Sequence, residues 1–113
     1  MVKRVHFKKT PYDIYCGRPS FWGNPYSHKN DTLAEYKVSS RRESVEMYER
    51  FLNNSEEHQK RLPELMNKIL GCWCEENELC HCDVLIRAVQ ELELTEKIET
   101  AYRENHIIPS QDF

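Results

Sequence analysis

Glycine is scarce in this chain, with three among 113 residues. Neither the glycine-rich loop of P-loop proteins nor the dinucleotide fingerprint occurs at its required spacing, so any bound phosphate would need another seat. Long apolar runs are also missing. None approaches the roughly 20 residues that span a bilayer, and no membrane partner is expected. There is no basic surplus: 16 Lys and Arg face 19 Asp and Glu, for a formal net charge of −3. That balance argues against a dedicated duplex-DNA binder, although Lys3, Arg4, Lys8, Lys9 and Arg18 cluster early enough to form a local basic patch. The basic start, Met1 to Lys9, has no apolar segment after it and does not read as a secretory signal. Repeats are absent, and the only polar low-complexity stretch is Asn53 to Lys60. The length suits one domain with one modest core.

Cysteine is the exception to this plainness. Four of the five cysteines fall within Gly71 to Asp83, together with Trp73 and His81. Cysteines one residue apart bridge poorly, because a disulfide needs a particular Cα separation and Cβ direction. The pattern predicts a reduced, cytoplasmic protein whose cysteines serve as ligands, site residues or core.

Alternation predicts a strand over Val2 to Phe7, a turn at Thr10 to Asp13, and a second strand at Ile14 to Cys16. Pro19 to Asn30 reads as loop. Ser40 and Glu43 form a capping box. The helix behind it carries Val45, Tyr48 and Leu52 on one face, flanked by Met47 and Phe51, and stops at Asn53-Asn54-Ser55. A short helix with Pro63 in its first turn turns Leu62, Leu65 and Met66 inward. Ile69 to Cys74 reads as a buried central strand. A helix over Cys82 to Leu92 follows, with Leu85, Ala88, Val89 and Leu92 as its apolar stripe. Thr95 is then expected to cap a separate last helix bearing Ile98, Ala101 and Tyr102, with Tyr48 and Tyr102 in the core. The tail from Asn105 reads as a loose end. This order predicts a small single-domain α/β layered fold, with a mostly parallel sheet of few strands and flanking helices.

The segments Tyr12-Asp13-Ile14-Tyr15-Cys16-Gly17-Arg18-Pro19-Ser20 and Trp22-Gly23-Asn24-Pro25-Tyr26, followed by Leu70-Gly71-Cys72-Trp73-Cys74, Cys80-His81 and Asp83-Val84-Leu85, resemble one family. It is the phage and bacterial family known as domain of unknown function 4326. The resemblance covers residues 2–92, with the last helix and tail as an addition. It implies a cytoplasmic, phage-encoded protein with a role in nucleotide metabolism or interference with host defence. Cys82 departs from the family pattern, which usually has a small residue there, so the resemblance lends nothing to a role needing a fourth thiolate.

Gly17 permits a sharp turn or close approach, and Arg18 offers a planar fork for phosphate or carboxylate. Ser20 and Asn24 add polar groups, and Trp22 can stack on a base. The alternative for this loop is a structured turn, with Arg18 paired to a carboxylate. In the second motif, Cys72 and Cys74 share a strand face, with Trp73 on the other. Cys80, His81 and Asp83 sit at a helix start, whose free N–H groups attract anions.

Three readings compete there. The first is a ligand pocket that takes a small anionic, nucleotide-like ligand, with Gly17, Arg18, Ser20, Trp22, Asn24, Cys80, His81 and Asp83 around it. The second is a zinc site of Cys72, Cys74, Cys80 and either His81 or Cys82, which would also suit a zinc-stapled interaction module. The third is an enzyme acting on a glycosidic or phosphate bond, with Asp83, His81 and Cys72 as catalytic candidates. Cys16 reads as core and Trp73 as packed. His6, His28, His58 and His106 carry no assigned chemistry. The apolar stripes would equally serve a homo-oligomer.

Overall fold

The computed structural model describes residues 1–30 and 33–105, with the backbone alone at position 105. His106 and the rest of the tail therefore lie outside the described residues. The central sheet has three parallel strands, β1 (Lys3–His6), β2 (Ile14–Tyr15) and β5 (Ile69–Cys72), in the order β1-β5-β2. Lys3 pairs with Ile69 and His6 with Cys72 along one edge of β5, while Ile14 pairs with Leu70 on the other. The central position of β5 explains its apolar composition: Leu70, Gly71 and Cys72 are buried. Gly71 leaves room there for the Tyr12 ring, since a Cβ would sit 2.7 Å from its Cγ. Pairing ends at Cys72, where β1 ends, so Trp73 and Cys74, expected within the strand, lie beyond it.

The expected loop from Pro19 to Asn30 contains one regular piece. Strand β3 (Tyr26–Ser27) pairs in parallel with β4 (Tyr36–Lys37), and the Tyr26 and Tyr36 rings stack at 5.2 Å. Two-residue strands are too short for any period to announce them.

Helix α1 (Arg41–Asn54) starts at the expected cap, where the Ser40 side chain accepts from the Glu43 N–H at 3.0 Å. Glu43 reaches one residue further back than a capping box requires. Its carboxylate accepts from the backbone N–H and the hydroxyl of Ser39, at 2.7 and 2.9 Å, which lowers its pKa. Tyr48 and Leu52 are fully buried, as their spacing predicted. A short α2 (Glu56–Arg61) and a 3-10 turn (Leu62–Leu65) follow, bringing Leu62 and Leu65 into the core. His58, on the otherwise polar α2, is buried against Phe21 with ring centroids 4.0 Å apart.

Helix α3 (His81–Asn105) is one uninterrupted helix of 25 residues, which corrects the expected break at Thr95. The Thr95 hydroxyl donates to the Glu91 carbonyl at 3.0 Å, inside the helix, instead of capping a new one. The stripe of Cys82, Leu85 and Val89 is fully buried. Beyond Leu92 the packing ends: Leu94 is 58% exposed, Ile98 50% and Tyr102 49%, so Tyr102 is not a core residue. Truncation after Leu94 should therefore leave the thermal midpoint within a few degrees of the full chain, because little apolar area is lost. A much larger drop by calorimetry would show that the projecting half is covered in solution. No helix among the described residues is long and apolar enough to cross a membrane.

Candidate functional site

All three central strands run in one direction, so their carboxyl ends share one edge of the sheet. In open parallel α/β sheets ligands settle outside this edge. Here the chain leaves β2 as Cys16-Gly17-Arg18 and leaves β5 as Trp73-Cys74, and a cleft of about 450 Å³ opens between these segments. The two motifs, some sixty positions apart, meet directly. His81 Nε2 lies 2.8 Å from the Cys16 carbonyl oxygen. A carbonyl only accepts, so Nε2 carries the proton and Nδ1 turns to Cys80 Sγ, 4.0 Å away.

The cleft wall is cationic. Arg18, Lys29 and Arg41 line it, with His28 and His81, against one acid among the described residues, Glu78. Glu78 pairs with Arg41 at 3.2 Å. Partial burial lowers the His28 pKa, as do the charges of Arg41, Lys29 and Arg18, while Glu78 opposes them. Arg18 also organises its own loop, donating to the carbonyls of Asn24 and Tyr26 at 2.8 and 3.3 Å. Asn24 is buried, and its amide donates to Ser44 Oγ at 2.8 Å while its carbonyl accepts from the Tyr26 N–H at 2.9 Å. Ser44 in turn donates to the Tyr26 carbonyl at 2.7 Å, so one serine of α1 staples the whole loop.

The sequence expectations sort accordingly. Gly17, Arg18, Asn24, Cys80 and His81 all line the cleft. Ser20 does not; its hydroxyl donates to the Gly17 carbonyl within the turn. The two tryptophans exchange places relative to expectation. Trp22 is 3% exposed and belongs to the core, where its carbonyl accepts from the Tyr48 hydroxyl at 2.9 Å. Trp73 is 56% exposed and stands at the cleft, donating from Nε1 to the Tyr15 hydroxyl at 2.6 Å and packing on Phe7 at 4.3 Å. Burial of the Tyr48 phenol raises its pKa and keeps it a donor.

Asp83 lies outside the cleft lining. Its carboxylate accepts from the Cys80 N–H at 3.3 Å, and Cys80 Sγ accepts from the Cys82 N–H at 3.4 Å. This is a capping box with cysteine in the usual serine position. The other Asp83 oxygen takes Arg4 Nε at 2.8 Å. The remaining Arg4 nitrogens donate to the carbonyls of Glu75, Glu76 and Glu78 at 3.2, 3.0 and 2.9 Å. Burial works against the Arg4 charge, but the hydrogen bond and charge of Asp83, with Cys80 and Cys72 alongside, together outweigh it and the pKa rises. On the opposite side of this loop, Arg41 Nη1 donates to the Leu79 carbonyl at 3.2 Å and lies 3.5 Å from Cys74 Sγ. Two arginines thus fix the loop that returns the chain from Cys74 to Cys80. Sequence reading counted Arg4 only as part of a basic cluster and did not single out Arg41 or Ser44. The alternation of β1, which sets Arg4 beside an apolar strand, was the one available signal.

The sulfur atoms converge as a result. Those of Cys72, Cys74 and Cys80 all lie within 4.8 Å of one another, and Cys80, His81 and Cys82 form a second such trio. All five cysteines are free thiols, and Cys16 is core. Hydrogen bonds from Cys72, Cys74 and Cys82 converge on Cys80 and draw its pKa far below the usual thiol value. Cys74 and Cys82 move up, Cys74 chiefly by bonding to Cys72 and Cys82 chiefly by bonding to Cys16. Three sulfur donors that already converge are a competent ligand set for a soft metal ion, so this group could hold a metal.

No curated protein and no solved structure matches the chain. A family model described as a domain of unknown function, DUF4326, matches residues 2–91. The match takes in both motif segments and ends within α3, close to where the apolar face of that helix passes into solvent. The chain belongs to the DUF4326 family.

Proposed function

We propose that the protein binds a nucleotide or nucleotide-derived anion in the cleft between the Gly17-to-Asn24 loop and the start of α3. One observation carries this reading: a chain of net charge −3 concentrates Arg18, Lys29 and Arg41 around a single cleft. The volume of about 450 Å³ falls within the range of small-molecule sites. Trp73, Tyr15 and Tyr26 supply flat apolar surface for a base, and the first turn of α3 adds a positive dipole end. In a phage-infected cell, such binding would sequester a nucleotide signal.

The test is equilibrium binding to a panel of nucleoside mono- and diphosphates, with mass analysis of the mixture before and after denaturation. Recovery of the intact nucleotide supports binding, and a converted product would favour the enzyme reading. That reading has weaker support, because the Asp83 carboxylate is committed to Arg4 and to the helix cap. The His28 contribution to the pH dependence has a fixed sign. An anion raises the depressed pKa of His28, so that contribution tightens binding as pH falls through and below 6.5, the ordinary histidine value, against the protonation of a terminal phosphate near about 6. Affinity that stays flat or weakens over that window, with the His28 resonance unmoved by nucleotide, would place the anion elsewhere.

The sulfur trio favours a second, compatible reading, in which a zinc ion sits on Cys72, Cys74 and Cys80. A zinc staple would also serve an interaction module without a small ligand. Elemental analysis of protein prepared in metal-scrubbed buffer decides this point, and less than half an equivalent counts against zinc.

A further inference from the structure

Zinc sites divide by their protein ligands: four close the shell and make a structural site, whereas three leave a position for water or substrate. We propose that the thiol cluster is of the second kind, with Cys72, Cys74 and Cys80 as the three ligands and the fourth position facing the cleft. This rests on the zinc reading above and adds to it that the metal takes part in ligand binding.

Three observations point this way. First, all three cysteines line the cleft, whereas Cys82 is fully buried and does not. The apparent fourth thiol touches Cys72 and Cys80 from within the core, beside Cys16, and does not open onto the cleft. Second, among the described residues no group of four brings its donor atoms together as these three do. His81 joins Cys80 and Cys82 instead, with Nε2 tied to the Cys16 carbonyl at 2.8 Å. Third, the surroundings suit a three-thiolate ion. Zinc with three thiolates carries one net negative charge, and the Arg41 guanidinium at 3.5 Å from Cys74 Sγ offsets it. Zinc–sulfur bonds of about 2.3 Å place sulfurs about 3.8 Å apart in a tetrahedral shell. Sulfurs already within 4.8 Å of one another reach that spacing by small side-chain shifts. At rest the open position holds water, and a donor atom of the bound molecule displaces it.

Cobalt(II) tests this without any activity assay. The full-length protein, reduced and metal-free, is titrated with cobalt and then with imidazole as a small neutral donor. One equivalent should bind with thiolate-to-cobalt charge-transfer intensity worth three thiolates and with four-coordinate d–d bands, and imidazole should shift those bands. Cys74→Ser, at the half-buried member of the trio, should lose one thiolate's share of that intensity while circular dichroism stays unchanged. Cys82→Ser and His81→Asn should leave the cobalt spectrum as it was. Failure to bind one equivalent, four thiolates' worth of intensity, bands indifferent to imidazole, or a spectrum altered by His81→Asn would each overturn the proposal. Nucleotide binding is scored separately, on metal-free and on metal-loaded protein, so failure of the anion reading leaves the cobalt result to stand alone.

Discussion

Arg4→Ala should lower the unfolding free energy by about 2–4 kcal/mol, visible as a fall in the urea midpoint. The change removes the donors to three backbone carbonyls and to Asp83 at once. Arg4 has only 13% of its side chain exposed, but Asp83 has 45%, so solvent screens the ion pair and the larger share of the loss comes from the carbonyls. Lysine keeps the charge but cannot reproduce the planar fork, and Arg4→Lys should recover less than half of the loss. The consequence for the site is larger than for the fold. With the Glu75-to-Leu79 loop released on one side, Cys74 and Cys80 lose their fixed separation. Amide exchange should therefore speed up across residues 75–80 before it does in α1. A midpoint equal to that of the parent protein, with exchange unchanged in that loop, would show that Arg41 alone holds it.

Leu85→Ala should cost about 2–5 kcal/mol, the range for emptying a fully buried leucine site. Leu85 lies on the first three turns of α3, which supply the fully buried residues of that helix among those described. Small domains have about 5–15 kcal/mol in total, so this variant approaches unfolding at ordinary temperatures. Leu94→Ala, less than three turns further along the same helix, should fall within about 0.5 kcal/mol of the parent protein, since Leu94 is already more than half exposed. The two variants share their chemistry and differ only in burial, so chemical denaturation of the pair measures where the core ends. Equal effects would mean that the distal half of α3 is buried in an assembly.

Several features were legible in the chain. The Ser40 cap and the α1 face of Tyr48 and Leu52 depend on near neighbours, while the central placement of β5 and the meeting of the two motifs follow from the rules of parallel sheets. The break at Thr95 was misread because a threonine suits a cap and a helix interior alike, and only the surrounding backbone chooses between them. The tryptophans exchanged roles for a related reason. Each sits beside a glycine or cysteine in a turn-rich motif, and nothing local reveals which ring has the core on its side.

The sequence by itself determined the class of fold, the parallel order of its chemistry-bearing segments and the family, because hydrophobic period and motif spacing are properties of the chain. Tertiary structure alone decided which donors converge. Arg4 and Asp83 are 79 positions apart, and Arg41 and Cys74 are 33. Contacts of that separation are fixed by how sheet and helices pack, so the clamp on the thiol loop and the cationic wall of the cleft exist only in the folded molecule.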